Sequence, residues 1–95
     1  MLKLAEQCQE AAALLKALAH PERLKLLCHL SEGEKTVGQL EGLCVASQSQ
    51  ISQFLGRMKS ENLLEARREG QHIYYSIKDQ KVSKLIKSMQ KIFCT

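Results

Sequence analysis

The sequence contains few of the signals that mark a membrane-bound, secreted or enzymatic protein. It has no apolar run approaching the roughly 20 residues that a membrane-spanning helix needs. Its N-terminal segment is interrupted by Glu6, Gln7, Gln9 and Glu10, and so lacks the continuous apolar core of a signal peptide. No nucleophile–base pair, phosphate-binding loop or cofactor fingerprint occurs. The sequence therefore predicts a cytoplasmic protein that needs no cofactor and is not an enzyme.

The four cysteines and three histidines do not show the spacing of a metal site. Cys8, Cys28, Cys44 and Cys94 form no Cys-x-x-Cys pair, and the histidines are scattered. Cytoplasmic thiols are normally kept reduced, so a disulfide here would indicate a sensing state rather than a structural crosslink. A metal site assembled across a dimer remains an alternative.

The composition is that of a small, basic, globular chain. Its 95 residues predict a single domain over residues 1–95, and a hydrophobic content of 44% argues against general disorder. A core this small would gain stability from burying more surface in a dimer. The net charge of +4 fits a polyanionic partner without proving one, because many basic proteins bind nothing acidic.

Apolar periodicity predicts four helices in the first two-thirds of the chain. The first spans residues 4–19 and the second begins at Pro21, because the residue before a proline avoids helical backbone angles. Thr36 and Ser47 are the predicted N-caps of the third and fourth helices, and Asn62 is the predicted exit from the fourth. The second helix is predicted to bury Leu24, Leu27 and Cys28, and the fourth to bury Ile51, Phe54, Leu55 and Met58.

From Leu64 onwards the apolar period changes to two, which predicts a two-stranded hairpin with a charged tip at residues 67–72. A last helix begins near Asp79 and carries an apolar stripe that is wide for so small a protein. Part of that stripe is therefore predicted to be a dimer interface. The fold class that follows is mainly α with a small β-hairpin. It is a winged helix-turn-helix of four helices, two strands and a final helix, forming a homodimer through its terminal helices.

The fourth helix has the composition expected of a helix that reads DNA. Short hydrogen-bonding side chains cluster in its N-terminal half, and glutamine can bond adenine bidentately. The hairpin tip suits phosphate or minor-groove contact. A solvated helix face, a charged surface turn and a winged-helix protein-interaction module are the alternative interpretations. The predicted contacts with double-stranded operator DNA are Gln48, Ser49, Gln50, Ser52, Gln53 and Arg57 on the helix, and Arg67, Arg68, Gln71 and His72 on the hairpin.

The chain resembles the ArsR/SmtB family of dimeric winged-helix repressors over nearly its whole length. The resemblance lies in ALLKALAHPERLKLLCHL, EGEKTVGQL, SQSQISQFLGRMKSENLLEARREGQHIYYSI and the closing apolar helix. It implies a repressor that leaves its operator when an inducer, commonly a thiophilic metal, binds or modifies it. Thr36-Val37-Gly38 stands where the arsenic-sensing branch has Cys-x-Cys, and the last helix offers Asp79 but no histidine for a zinc site.

The segments LLCHL and KIFC are similar to the BigR, SqrR and YgaV group, whose members respond to reactive sulfur species or oxidants. In that group one thiol on the second helix and one at the end of the last helix form the sensing pair, which the resemblance places at Cys28 and Cys94. Cys8 resembles a dispensable extra thiol, and no sensing role is implied for Cys44. From the residues alone, the position of Cys28 on an apolar face favours an inert thiol. A repressor that responds to zinc, cadmium or arsenite stays an alternative.

Overall fold

The computed structural model describes residues 3–94, and its elements follow the order expected from the sequence with one short strand added. The helices are α1 (Leu4–Leu18), α2 (Pro21–Leu30), α3 (Val37–Leu43), α4 (Gln48–Ser60) and α5 (Gln80–Phe93). The strands are β1 (Lys35–Thr36), β2 (Leu64–Glu69) and β3 (His72–Ile77). The predicted winged helix-turn-helix is confirmed, with α3 and α4 as the two helices of the motif and β2 and β3 as the wing.

Capping boxes fix where α3 and α4 begin. The Gln39 amide N–H donates to Thr36 Oγ1 at 3.1 Å, and the Thr36 amide N–H donates to Gln39 Oε1 at 2.9 Å. Ser47 and Gln50 repeat the arrangement at 3.3 and 3.0 Å. Each box satisfies amide groups that a helix leaves unpaired in its first turn. The two predicted N-caps are therefore confirmed.

Two positive backbone angles shape the path from α4 into the wing. Asn62 has a φ of 64°, a left-handed conformation that asparagine tolerates better than most residues, and it ends α4 as predicted. Gly70 has a φ of 63° at the tip between β2 and β3, where a side chain would be strained. The charged hairpin tip is thus a tight turn.

The sheet has three antiparallel strands in the order β1-β3-β2 rather than the two predicted. The hairpin register runs from Leu64 opposite Ile77 to Glu69 opposite His72. On the other edge of β3, the two residues of β1 pair with Tyr74 and Tyr75. A strand of two residues shows no periodicity, so sequence alone could not reveal it.

The core lies between the helices and the sheet. The inward stripe predicted for α4 is confirmed at Ile51, Leu55 and Met58, which are buried, and Phe54 packs partly buried against them. No helix among residues 3–94 is long and apolar enough to cross a membrane. The other buried apolar residues are Leu18, Leu26, Leu27, Leu30, Leu40, Leu63, Leu64, Val82 and Ile86.

The buried face of α2 is rotated from the predicted one. Leu26 and Leu27 are buried, whereas Leu24 and Cys28 are only partly buried. The inward positions follow the helical spacing i, i+3, i+4 and i+7 from Arg23, so this stripe begins with a charged residue. Leu24 and Cys28 lie on the adjoining side of α2, towards α5.

Candidate nucleic-acid interface and thiol pair

The outer face of α4 is open and polar because the opposite face fills the core. Ser52, Gln53, Gly56 and Arg57 line one shallow depression there, together with the edge of Phe54. Gln53 and Arg57 are both exposed. This surface has the polar character that base edges and phosphates require.

A second cleft brings the start of α4 against the wing. Gln48, the first residue of α4, lines it together with Gln71 and His72 from the hairpin and the first turn of α3. The His72 and Tyr74 rings are 6.4 Å apart between centroids and tilted by 59°. The structure therefore brings Gln48 at the start of α4 beside Gln71 and His72 of the wing.

Gln50 has a local role that its predicted assignment did not include. Its side-chain oxygen accepts from the Ser47 amide and from the Ser47 hydroxyl, the latter at 3.3 Å. The carbonyl end of this glutamine is thus engaged in the capping box, and its NH₂ end is left to donate. Ser49, one position earlier, is exposed.

The two wing arginines are in different electrostatic settings. The Arg67 guanidinium is ion-paired with Glu34 and Glu69, and it lies 4.6 Å from the centroid of the Tyr74 ring. Its hydrogen bond holds the pKa of the Glu34 carboxyl below the usual range. Arg68 forms no ion pair within residues 3–94 and is exposed. Arg68 therefore offers the less neutralised charge.

Gly56 is not required by the folded chain. A Cβ atom at this position would meet no atom of residues 3–94 within 4 Å, apart from its chain neighbours and the backbone of its own helix. A glycine in a helix interior costs about 1 kcal/mol relative to alanine. The space outside this residue lies on the polar face of α4, where a close approach by another molecule is sterically open.

The Cys28 thiol lies at the contact between α2 and α5. Burial raises its pKa, a hydrogen bond from the Gln90 side chain opposes that rise, and the neighbouring Cys94 and Glu32 charges add to it. The Ser31 hydroxyl donates to the Cys28 carbonyl at 2.6 Å. Cys28 is therefore a half-buried thiol that is kept mainly protonated.

The other three thiols differ in exposure and place. Cys94 is the exposed C-cap of α5, and its amide N–H donates to the Gln90 carbonyl at 2.8 Å. Cys8 is exposed on α1, and Cys44 is half-buried as the C-cap of α3. Over residues 3–94, no three His, Cys, Asp or Glu side chains converge in a way that could hold a metal ion.

An apolar surface runs along α1 and α5. Leu15 borders two adjoining grooves between these helices and is 54% exposed. Leu85 lines the same two grooves from α5, and Ile92 and Phe93 extend the second groove with 70% and 76% exposure. We call Leu15, Leu85, Ile92 and Phe93 the terminal-helix patch. Exposed apolar patches of this kind mark interaction surfaces.

The pairing of Arg23 with Glu61 was not predicted from the sequence. Arg23 is only 6% exposed and forms a bidentate ion pair with Glu61 at the end of α4. The helical spacing of the sequence could have indicated that Arg23 is buried. Arg23 precedes Leu26 and Leu27 by three and four residues, so it shares the inward stripe of α2 with them. A charged residue at such a position needs an oppositely charged partner.

A capped helix-turn-helix with a wing beside its second helix defines a DNA-binding winged-helix regulator. Residues 20–66 match the family of bacterial regulatory proteins described as the arsR family. The chain is 40% identical over 89 residues to the biofilm growth-associated repressor of Agrobacterium fabrum, covering 94% of this chain and 76% of that protein. It is also 40% identical over 95 residues to the regulator YgaV of Escherichia coli, covering 99% of this chain and 96% of YgaV.

The crystal structure of the repressor BigR from Xylella fastidiosa superposes with a TM-score of 0.88 at 38% identity. That match covers 97% of this chain and 94% of the BigR chain. The protein therefore belongs to the ArsR/SmtB family of winged-helix transcriptional repressors, as its resemblance predicted, and it is not an enzyme.

Proposed function

We propose that this repressor binds double-stranded operator DNA as a homodimer and releases it when Cys28 and Cys94 become joined. The observation that carries the proposal is the position of the two thiols. Cys28 is on α2, which packs against α5, and Cys94 is the C-cap of α5, close enough for its charge to raise the pKa of the Cys28 thiol. One thiol is exposed and the other half-buried, so a reagent from solution meets Cys94 first.

The joining reaction needs an oxidant, and a low-molecular-weight persulfide supplies it. The Cys94 thiolate attacks the outer sulfur of the persulfide, forming a Cys94 persulfide and releasing a thiolate. The Cys28 thiolate then attacks the inner sulfur of that persulfide, and hydrosulfide leaves as the disulfide forms. The two thiols lose two electrons, and the sulfane sulfur is reduced to sulfide. A peroxide achieves the same bond through a sulfenic acid with loss of water, and further sulfane sulfur would lengthen the bridge.

Release of DNA follows from the place of the bridge. It joins α2 to the end of α5, whose Ile92 and Phe93 belong to the terminal-helix patch. In the proposed dimer this patch packs against its counterpart, so the bridge alters the relation of the two subunits. A dimeric helix-turn-helix protein reads half-sites about 34 Å apart, and a change of a few ångströms in that separation weakens binding.

The test is intact mass spectrometry combined with operator binding, before and after treatment of the reduced protein with glutathione persulfide. The operator is first identified by selection from random duplexes. We expect an internal adduct joining Cys28 to Cys94 and a concurrent loss of DNA affinity. No such adduct would rule out dithiol sensing. Release by zinc, cadmium or arsenite at stoichiometric concentration without a crosslink would instead support the metal-responsive alternative.

The crosslinking step should accelerate as pH rises. Burial raises the pKa of Cys28 above its usual value, so the attacking thiolate is scarce at neutral pH. Below that pKa the thiolate fraction grows about tenfold per pH unit, and the rate of bridge formation should follow it. The measurement is the rate of disulfide formation between pH 6.5 and 8.5 on protein that carries a glutathione mixed disulfide at Cys94, prepared at acidic pH, from which attack by Cys28 releases glutathione thiolate. A rate independent of pH would show that attack by Cys28 is not limiting.

Substitutions on α4 and the wing should separate base reading from phosphate contact. Gln53→Ala should lower operator affinity by about 1–3 kcal/mol while leaving random-sequence affinity nearly unchanged. Arg68→Ala should weaken both affinities similarly and reduce the salt dependence by about one phosphate contact. Titrations at several salt concentrations measure both effects. Equal losses on the two DNAs for Gln53→Ala would exclude base reading there, and weak binding without salt dependence would favour a protein-interaction module.

A further inference from the structure

The buried guanidinium of Arg23 joins the ends of three helices. Its Nη1 donates to the Ala17 carbonyl at 2.9 Å and to Glu61 Oε1 at 2.8 Å, and its Nη2 donates to Glu61 Oε2 at 3.1 Å. Ala17 is in the last turn of α1, Arg23 in the first turn of α2, and Glu61 is the C-cap of α4. One side chain therefore ties the DNA-facing helix to the α1–α2 pair.

The geometry of this contact restrains orientation as well as distance. A bidentate pair between a guanidinium and a carboxylate holds both planar groups in a fixed relation. The third hydrogen bond occupies one of the carbonyls that α1 leaves unpaired at its C-terminus. Arg23 also holds the pKa of the Glu61 carboxyl below its usual range, so both partners are charged at neutral pH.

The pair anchors the far end of the helix that faces DNA. The 13 residues of α4 span about 20 Å, so a tilt of about 5° about Glu61 moves its N-terminus by nearly 2 Å. Hydrogen bonds tolerate a spread of only about 0.5 Å in donor–acceptor distance. Hydrogen bonds between bases and the α4 side chains at positions 48–53 would break under such a tilt. The electrostatic attraction between the protein and DNA phosphates would persist.

We propose that Arg23 and Glu61 form a positioning pair that orients α4 and thereby separates operator from random DNA. Arg23 is buried, so it acts through α4 and not by touching DNA. The inference rests on the base-reading role proposed for α4, and it does not depend on sensing by the thiols. It extends DNA recognition to two residues outside the polar face of the helix.

Glu61→Gln tests the pair, with Glu22→Gln as the matched control. Both changes raise the net charge by one, so both alter general attraction to DNA alike. Among residues 3–94, Glu22 is paired only with Lys25 of the same helix, at 3.5 Å, so its loss disconnects no two of the described helices. We expect Glu61→Gln to lower operator affinity about five- to tenfold relative to the control, with equal affinities of the two variants for random DNA. The operator and random-DNA affinities of both variants are measured under conditions where circular dichroism shows fully folded protein. A loss of stability alone would therefore leave the ratio of operator affinity to random-DNA affinity unchanged.

A second variant tests whether the two residues act as one unit. Arg23→Gln should lower the operator-to-random ratio by a similar factor, and the double variant should lose no more than the larger single loss. If Arg23→Gln fails to fold, the comparison of Glu61→Gln with Glu22→Gln decides alone. An unchanged ratio in folded Glu61→Gln, or strictly additive losses, would overturn the positioning role while leaving base reading by α4 intact. Lack of operator preference in the wild type would overturn both.

Discussion

Cys28→Ser should bind its operator equally well before and after treatment with glutathione persulfide, whereas the wild type should lose at least about tenfold in affinity. That loss lies within the usual range of coupling between an effector and a ligand. Serine at position 28 cannot attack a persulfide on Cys94, so α2 and α5 stay unjoined. Fluorescence anisotropy with the selected operator measures affinity, and intact mass of the same samples counts the sulfur atoms added.

The remaining cysteines provide the controls for this result. Cys94→Ser should match Cys28→Ser, because each leaves a single member of the proposed pair. Cys8→Ser and Cys44→Ser should keep the full response, since Cys8 is exposed on α1 and Cys44 caps α3. Full inducibility of Cys28→Ser would eliminate this thiol from the switch, and loss of response in Cys8→Ser would point to a bridge between subunits instead.

Leu15→Lys should convert the protein to a 10.7 kDa monomer and lower operator affinity at least about a hundredfold. Leu15 borders both grooves of the terminal-helix patch, so a lysine there would bury an ammonium group in the proposed interface. The substitution adds positive charge, which by itself would strengthen attraction to DNA. A fall in affinity would therefore report loss of the dimer. Analytical ultracentrifugation gives the mass.

Leu43→Lys is the matched control for oligomeric state. Leu43 is 53% exposed against 54% for Leu15, but it lies at the end of α3, outside the terminal-helix patch. We therefore expect the Leu43→Lys variant to remain a dimer. If both variants were monomers, any added lysine would disrupt association. If both variants were dimers, the subunit contact would lie outside the terminal-helix patch.

The features that sequence predicted well depend on neighbouring residues. Ser47 and Gln50, like Thr36 and Gln39, are three positions apart, so side-chain chemistry and helical geometry determine each cap together. The polar face of α4 was predictable for the same reason, because its opposite stripe has regular helical spacing. These local rules placed the helix-turn-helix and most of its exposed side chains.

Contacts between distant residues were beyond the reach of periodicity. Arg23 meets Glu61 across 38 positions, and Arg67 meets Glu34 across 33. The second contact matters for the candidate site, because the sequence made Arg67 and Arg68 look equivalent. Only the packing of the loop before β1 against the wing shows that the first of them is already paired. The pairing of β1 with β3 escaped prediction because strand partners follow from tertiary folding.

The positions of Cys28 and Cys94 affect the stability of the protein against unfolding as well as the regulation of its DNA binding. A bridge between them would enclose roughly 65 residues in one covalent ring, which in the chain-entropy description disfavours the unfolded ensemble by about 4 kcal/mol. The bridged form, which releases DNA, would then resist heat and proteolysis better than the reduced form, which binds DNA. A cell under sulfur stress would keep an intact pool of silent repressor, ready for reduction, without new synthesis.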